Sequence, residues 1–287
     1  MSLELDSFAA AAQNGGSRVD RDQIAEIFAE IALEAAVAIM AVYASDSHAR
    51  RKPDKSPVCD ADEHAEAIIL ERLSERLPGF SILAEEAVAN GGKTVMGPTF
   101  ILVDPVDGTR EFLEQNGEFT VNIGLVVDGA PLAGVVYAPA LGQIWIGGST
   151  ATSCTVAPGE TLPPRERRRA IHVRRAPSEG LTALESRSHS DPETDAFLAR
   201  LPIRERRTAG SSLKFCAVAE GDADVYPRFG QTMEWDTAAG DAVLRAAGGI
   251  VLDREHRPLL YGKAGAQFRN GPFVAWGDRR NPVLNRG

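Results

Sequence analysis

The chain has 287 residues, of which 44% are hydrophobic and 25% charged, and a formal net charge of −9. That length allows one large domain or two modest ones with a sizeable core. The acidic balance speaks against general nucleic-acid binding, because no broad positive field is present to neutralise phosphates.

The three cysteines, Cys59, Cys154 and Cys216, are odd in number and form no CxxC pair. A disulfide framework or structural zinc site is therefore not expected, and a reducing, cytoplasmic compartment fits. The start, "MSLELDSFAAAAQNGGSRVD", has no basic n-region and no adequate apolar core for a secretory signal. The longest helical apolar stretch, "AAVAIMAVY" at 35–43, covers nine residues, whereas a membrane span needs about 20. Peripheral contact with the cytoplasmic face of an inner membrane stays open.

Residues 1–19 are rich in Ala, Gly and Ser and read as a flexible N-terminus. Asp20 is placed to cap a helix over 21–43, with Ile24, Ile27, Phe28, Ile31 and Ala35 on one face. "DSHARRKPDKSP" (46–57) reads as a loop. A second helix follows Asp60, burying Ile68, Ile69, Leu70 and Leu73, and stops at Leu77-Pro78-Gly79. "FSILAEE" (80–86) and "TFILVDP" (99–105) read as strands that end in carboxylates. Residues 119–147 read as a meander, with its first two runs joined at Asp128-Gly129. The Pro-rich, basic stretch 150–169 reads as a boundary or surface crossing, its "RERRR" run solvated. Then come a strand "AIHVRRA", helices "DPETDAFLARL" and "SSLKFCAVAEGDA", a strand "ADVYPRF" and a helix "WDTAAGDAVLRAAGG". Helices and strands alternating throughout predict layered α/β sheets.

Three carboxylate groups fall at element ends: Glu85-Glu86, Asp104 with Asp107, and Asp236. Singly, each has an ordinary explanation. These are a solvated strand end, a type I turn with Pro105 in its favoured second place, and an N-cap for the helix that Gly248-Gly249 ends. Gathered at one edge of a sheet they would repel each other and require cations. Mg2+ suits all-oxygen donors and binds through carboxylates plus substrate phosphate, and two ions about 3.5–4 Å apart can activate a water and stabilise a leaving oxygen. Asp104, the Val106 carbonyl and Asp107 can then face one volume. Gly108 lets the backbone approach a ligand, and the Thr109 hydroxyl can orient a water. Lys214, after two serines and with few charges nearby, suits an anion pocket. Arg228, between Pro227 and Phe229, would be costly as a bare buried charge.

At these residues the chain resembles the lithium-sensitive, Mg2+-dependent phosphomonoesterases of the inositol monophosphatase family. "DPVDGTREF", "WDTAAGDAVLRAAGG", "LAEEA" and "SPVCDADEHAE" are similar to its four signatures, in the family's order, over about residues 20–275. "NGEFTVNIGLV", "GVVYAPALG", "SRSHS" and "GSSLKFCAVAEGDADVYPRFG" resemble its CysQ branch, the 3′(2′),5′-bisphosphate nucleotidases. The resemblance implies an α+β layered αβαβα sandwich in two subdomains. Residues 20–160 would hold the metal site, and 161–287 would contribute Asp236 and the nucleotide pocket. It implies hydrolysis of the 3′-phosphate of adenosine 3′,5′-bisphosphate to AMP, in sulfur metabolism, with two or three Mg2+ ions and sensitivity to lithium.

By the same resemblance Glu85, Asp104, Asp107, Asp236 and the Val106 carbonyl are metal ligands, and Glu86 supports the metal waters. Asp62 and Thr109 position the attacking water, and Gly108 and Thr109 contact the phosphate. His189, Ser211, Ser212, Lys214, Arg228 and Asp236 hold the nucleotide. Cys59 departs from the family's usual Thr and is a poorer hydrogen-bond donor. Two rival readings are a broader inositol or fructose 1,6-bisphosphate sugar phosphatase and a silent nucleotide-binding regulator.

Overall fold

The computed structural model describes residues 20–45, 50–51, 57–58, 60–91, 97–188 and 191–280. Residues 1–19, Cys59, His189 and most of the 46–57 loop lie outside them. Helix α1 (Arg21–Tyr43) begins at Asp20, whose carboxylate accepts from the backbone of Asp22 (3.0 Å) and Gln23 (3.3 Å). A short ribbon of β1 (Arg50–Arg51) and β2 (Pro57–Val58) leads to α2 (Asp60–Arg76). Next come β3 (Ser81–Ala84), α3 (Glu85–Ala89), β4 (Thr99–Asp107), α4 (Thr109–Leu113), β5 (Thr120–Val127), β6 (Ala130–Ala138), β7 (Gln143–Gly147), β8 (Ala151–Thr155) and β9 (Arg169–Ile171). Strands β3 to β9 form one sheet in sequence order, parallel between β3 and β4 and antiparallel elsewhere. Asp128 and Gly129, with φ of 50° and 80°, make the expected tight hairpin between β5 and β6.

The second half holds β10 (Leu181–Ser186), α5 (Pro192–Leu198), β11 (Ile203–Ala209), α6 (Leu213–Ala219), β12 (Val225–Arg228), β13 (Thr232–Met233), α7 (Ala238–Ala246), β14 (Ile250–Asp253), β15 (Arg269–Asn270) and β16 (Phe273–Trp276). Five of its strands form a mixed sheet in the order β11-β10-β12-β16-β14, and β13 pairs with β15.

Alternation along the strands stacks these pieces. On β4, Ile101 and Val103 face α1 and α2, while Phe100 and Leu102 face the opposite core. That second core contains α6, α7 and Tyr226, Phe273 and Ala275 of the second sheet. Val274 and Trp276 alternate to the far side, against Leu198 of α5. The result is an αβαβα sandwich. A strand buried on both faces reads as a continuous apolar run, as "FILV" does. Helix α7 lies close on the first sheet because Gly134 and Gly147 leave room: an added Cβ would sit 2.7 Å from the Ala239 carbonyl oxygen and 2.6 Å from the Val243 Cα. This contact places the Asp236 loop over the ends of β4 and β5.

Several sequence expectations change. The strand "FSILAEE" stops at Ala84, and Glu85 and Glu86 open α3 instead. "DPVD" is not a type I turn but the continuation of β4. The 150–169 crossing contains β8, and "AIHVRRA" is a strand only at its start, where β9 closes the first sheet beyond residue 160. Asp236 does not cap α7, whose N-cap is Thr237. Strands β10, β11, β14 and β16 go beyond the expected elements. No helix among the described residues is long and apolar enough to cross a membrane.

Candidate active site

Residues three apart on a regular strand point to opposite faces. Here Asp104 pairs with Asn122 and Asp107 with Thr120, so β4 advances three residues while β5 advances two. The extra residue is a β-bulge. It returns Asp107 to the face of Asp104, which Thr120 and Asn122 of β5 share. The Asp104 carboxylate accepts from Val106 N at 3.1 Å, bracing the bulge. Gly108 then turns the chain in the left-handed region (φ 90°) into α4. The Thr109 hydroxyl faces the Val106 carbonyl at 3.5 Å.

Glu85 and Glu86 are held by Glu66, the last residue of the "SPVCDADEHAE" stretch, to which the sequence reading gave no role. The buried carboxylate of Glu66, on α2, accepts from Glu86 N and Ala87 N, each at 2.7 Å. Two of the free N–H groups of α3 are satisfied in this way. Asp62, one turn earlier on α2, is also buried, so one helix face supports both the Glu85 loop and the Asp62 carboxylate.

Asp236 enters from the second half. Its carboxylate accepts from Met233 N (2.8 Å) and its carbonyl accepts from the Ser212 hydroxyl (2.8 Å). The Ser211 hydroxyl donates to Asp107 Oδ2 at 2.7 Å and lies against the Thr120 hydroxyl. Ser211 does this from a left-handed backbone (φ 51°), which is uncommon for a residue other than glycine. The Lys214 ammonium, 3% exposed, donates to the carbonyls of Ser211 (2.6 Å) and Ala209 (3.1 Å).

The acidic residues are near enough to act on one another electrostatically. Burial, followed by the charges of Glu85, Asp107, Asp236 and Asp62, holds the Asp104 carboxyl well above the usual carboxylate range. Burial, then Asp107 and Glu85, does the same to Asp236. Burial also raises Asp107, opposed by the hydrogen bond from Ser211 and the charge of Lys214. Two unit charges about 4 Å apart repel by about 4 kcal/mol at an effective dielectric of about 20, so such a set calls for cations. No three His, Cys, Asp or Glu side chains among the described residues already form a metal-holding group. The donor set consists entirely of oxygens, which suits Mg2+.

These residues open into a cleft of about 330 Å3 whose lining includes the carboxylates Glu85, Asp107, Glu111 and Asp236 and the cationic Lys214, Arg228 and Arg110. Gly108, Thr109 and Ser211 also line it, and Phe215 and Tyr226 add apolar surface. Burial pushes the Lys214 ammonium down to about 8, against the pull of Asp107. Of the residues expected from sequence, Ser212 stands outside this lining, 1% exposed, with its hydroxyl turned to the Asp236 carbonyl. Glu66, Thr120, Asn122 and Arg110 were missed. The polar Thr120 and Asn122, two apart in an otherwise apolar strand, were the available signal.

Comparison with known proteins places this geometry. The sequence model of the inositol monophosphatase family matches residues 20–276. The chain is 43% identical over 237 residues to the 3′(2′),5′-bisphosphate nucleotidase CysQ of Salmonella typhimurium, covering 81% of this chain and 91% of that one. The crystal structure of CysQ from Bacteroides thetaiotaomicron, a bacterial member of the inositol monophosphatase family, superposes with a TM-score of 0.75 at 35% identity, covering 90% of this chain and 98% of that one. An inositol monophosphatase from Anabaena superposes at 0.70 with 26% identity, over 92% and 94% of the two chains.

Proposed function

The chain belongs to the inositol monophosphatase family, and on that premise we propose that it is a 3′(2′),5′-bisphosphate nucleotidase that releases the 3′-phosphate of adenosine 3′,5′-bisphosphate as inorganic phosphate, leaving AMP. The observation that carries this reading is the mixed acidic and basic lining of the cleft. Four carboxylates and three cationic side chains line it together. A substrate with two phosphates matches that lining, with one group held by the carboxylates through cations and the other by Lys214, Arg228 and Arg110. Both CysQ relatives have the nucleotidase or its family in their names.

Glu85, Asp104, Asp107, Asp236 and the Val106 carbonyl would hold Mg2+. Bound there, the metal supplies Lewis-acid polarisation of the phosphate and lowers the pKa of the attacking water. The remaining work falls to the chain. Asp62 and the Thr109 hydroxyl orient the water for in-line attack, the Asp62 carboxylate takes up its proton, and Glu86 steadies the surrounding waters. The backbone at Gly108 and Thr109 contacts the reacting phosphate. Ser211 and Ser212 keep Asp107 and the Asp236 loop in place, while Lys214 and Arg228 grip the second phosphate. His189, outside the described residues, belongs to the nucleotide pocket in the same reading. A cytoplasmic location, a role in sulfur metabolism and inhibition by lithium are part of the proposal.

The test is phosphate release in Mg2+ from adenosine 3′,5′-bisphosphate, inositol monophosphate and fructose 1,6-bisphosphate side by side, with and without Li+. The bisphosphate nucleotide should be strongly preferred and Li+ should inhibit. Preference for an inositol phosphate would overturn the substrate assignment.

A further inference from the structure

Asn122 is fully buried on β5, between apolar neighbours. An apolar side chain of similar volume would fill the same space without the cost of burying an amide, so its polarity needs a reason. The hydrogen bonds supply one. Asn122 Nδ2 lies 3.0 Å from Ser212 Oγ and 3.4 Å from Asp107 Oδ2, and so directs one donor group to each. Ser212 Oγ in turn donates to the Asp236 carbonyl at 2.8 Å. The Thr120 hydroxyl donates to Asn122 Oδ1 at 3.2 Å, which fixes which end of the amide faces the site. One planar group thus connects Asp107, at the end of β4, with the Asp236 loop from the other half of the fold.

We propose that Asn122 is a positioning residue that sets the separation of Asp107 and Asp236, using the two protons of one rigid amide. This rests on the reading of Asp107 and Asp236 as metal ligands. The need for such a tie comes from the site itself. Asp107 and Asp236 repel one another, and they sit on elements more than a hundred residues apart in sequence. Ser211 restrains Asp107 alone, and Met233 N restrains Asp236 alone. Two links reach both carriers: the Ser211-Ser212 turn, which bonds Asp107 and the Asp236 carbonyl in succession, and the amide of Asn122, which ties both to β5 of the first sheet. Partners of this kind, which touch a ligand and not the metal, typically change metal affinity or activity by about 10- to 100-fold when removed.

The test uses Asn122→Leu, which keeps the volume, Asn122→Ala, which relieves strain if leucine does not fit, Ser212→Ala, and the Asn122→Ala/Ser212→Ala pair. Mg2+ binding to the metal-free, full-length chain is measured by calorimetry without substrate, and kcat and KM are then measured at saturating Mg2+. Folded Asn122 variants should bind Mg2+ about 10- to 100-fold more weakly with a parallel fall in kcat, while KM for the bisphosphate stays within about twofold, as expected when a transition-state arrangement is lost and ground-state binding is kept. The double variant should fall short of the product of the single effects, because the two residues act along one connection. Mg2+ affinity within about twofold of wild type in Asn122→Leu or Asn122→Ala would overturn the proposal, since a space-filling role predicts that result. If the wild type bound Mg2+ but released no phosphate from the nucleotide, the function proposed above would fall, and the calorimetric comparison would still decide the role of Asn122.

Discussion

Replacing Asp236 by Asn should make the metal-free protein more stable while removing its activity. Asn keeps an oxygen to accept the 2.8 Å bond from Met233 N and deletes one of the charges that repel Asp104 and Asp107. Relief of such site strain typically contributes about 0.5–2 kcal/mol. With an unfolding entropy of about 2.1 cal/mol/K per residue, a chain of 287 residues changes Tm by roughly 1–3 °C for that energy. Mg2+ should stabilise the two proteins unequally. At a hundredfold excess over Kd it adds about 2.7 kcal/mol to the wild type, or roughly 4–5 °C, and much less to Asp236→Asn.

The pH dependence follows from the raised carboxyls. Between the unfolded value and the higher folded value the native state binds more protons than the unfolded one, so metal-free stability is largest in mild acid and falls as pH rises through that window. Protons and Mg2+ compete for the same oxygens, so the Mg2+ increment should be larger at pH 8 than at pH 5. Differential scanning fluorimetry in EDTA and in Mg2+, beside a phosphate-release assay, reads all of this. A metal-free Asp236→Asn protein that melts below wild type, or an equal Mg2+ shift in both, would refute the account of the site as a repelling cluster that awaits cations.

Arg228→Ala should raise KM for the bisphosphate by roughly 10- to 150-fold, the loss of about 1.5–3 kcal/mol of charge-assisted bonding, with a smaller change in kcat; steady-state kinetics checks it, and an unchanged KM removes Arg228 from the phosphate grip. The Lys214 ammonium, held near 8 by burial, loses its charge as pH rises through that value, so nucleotide affinity should fall above about pH 8; the fall should move to higher pH in Lys214→Arg, and a KM flat to pH 9.5 would count against it. Glu66→Gln leaves one N–H of α3 facing an amide donor, which costs about 1–3 kcal/mol, and should lower Tm by about 2–5 °C together with Mg2+ affinity. Gly108→Ala should depress kcat, since its φ of 90° disfavours a side chain and the new Cβ would stand 3.2 Å from Glu111 Oε2 and 3.3 Å from Ser211 Cβ; full activity would mean that the left-handed turn there is not needed.

What could be read in the sequence follows the reach of each interaction. Helices α1 and α2 and strands β4 to β7 carry their own signals, namely an Asp cap, apolar periodicity and an Asp-Gly hairpin, all within a few residues. Strand β11 carries none: residues 204–208, Arg-Glu-Arg-Arg-Thr, are all exposed, and the strand exists because β10 lies beside it. The Glu85-Glu86 pair looked like a strand end because the group that starts α3, the carboxylate of Glu66, stands 20 residues away in sequence.

The "DPVD" stretch shows how the same limit bears on function. Its composition is that of a turn, and a turn or a strand would each put both aspartates in plausible places. What decides is the register against β5, where two residues answer three and a bulge brings Asp107 round to Asp104. The bulge also sets Thr120 and Asn122 beneath the aspartates, where their side chains meet Ser211 and Ser212 from the other half of the fold. Carboxylates that repel can be kept together only by groups that are themselves fixed elsewhere. The first sheet, the Ser211-Ser212 turn and the Asp236 loop each supply one such anchor, and the clearance at Gly134 and Gly147 that seats α7 brings the third within reach of the first. A substitution that widened that seat would disturb the distance between Asp107 and Asp236 without touching either residue.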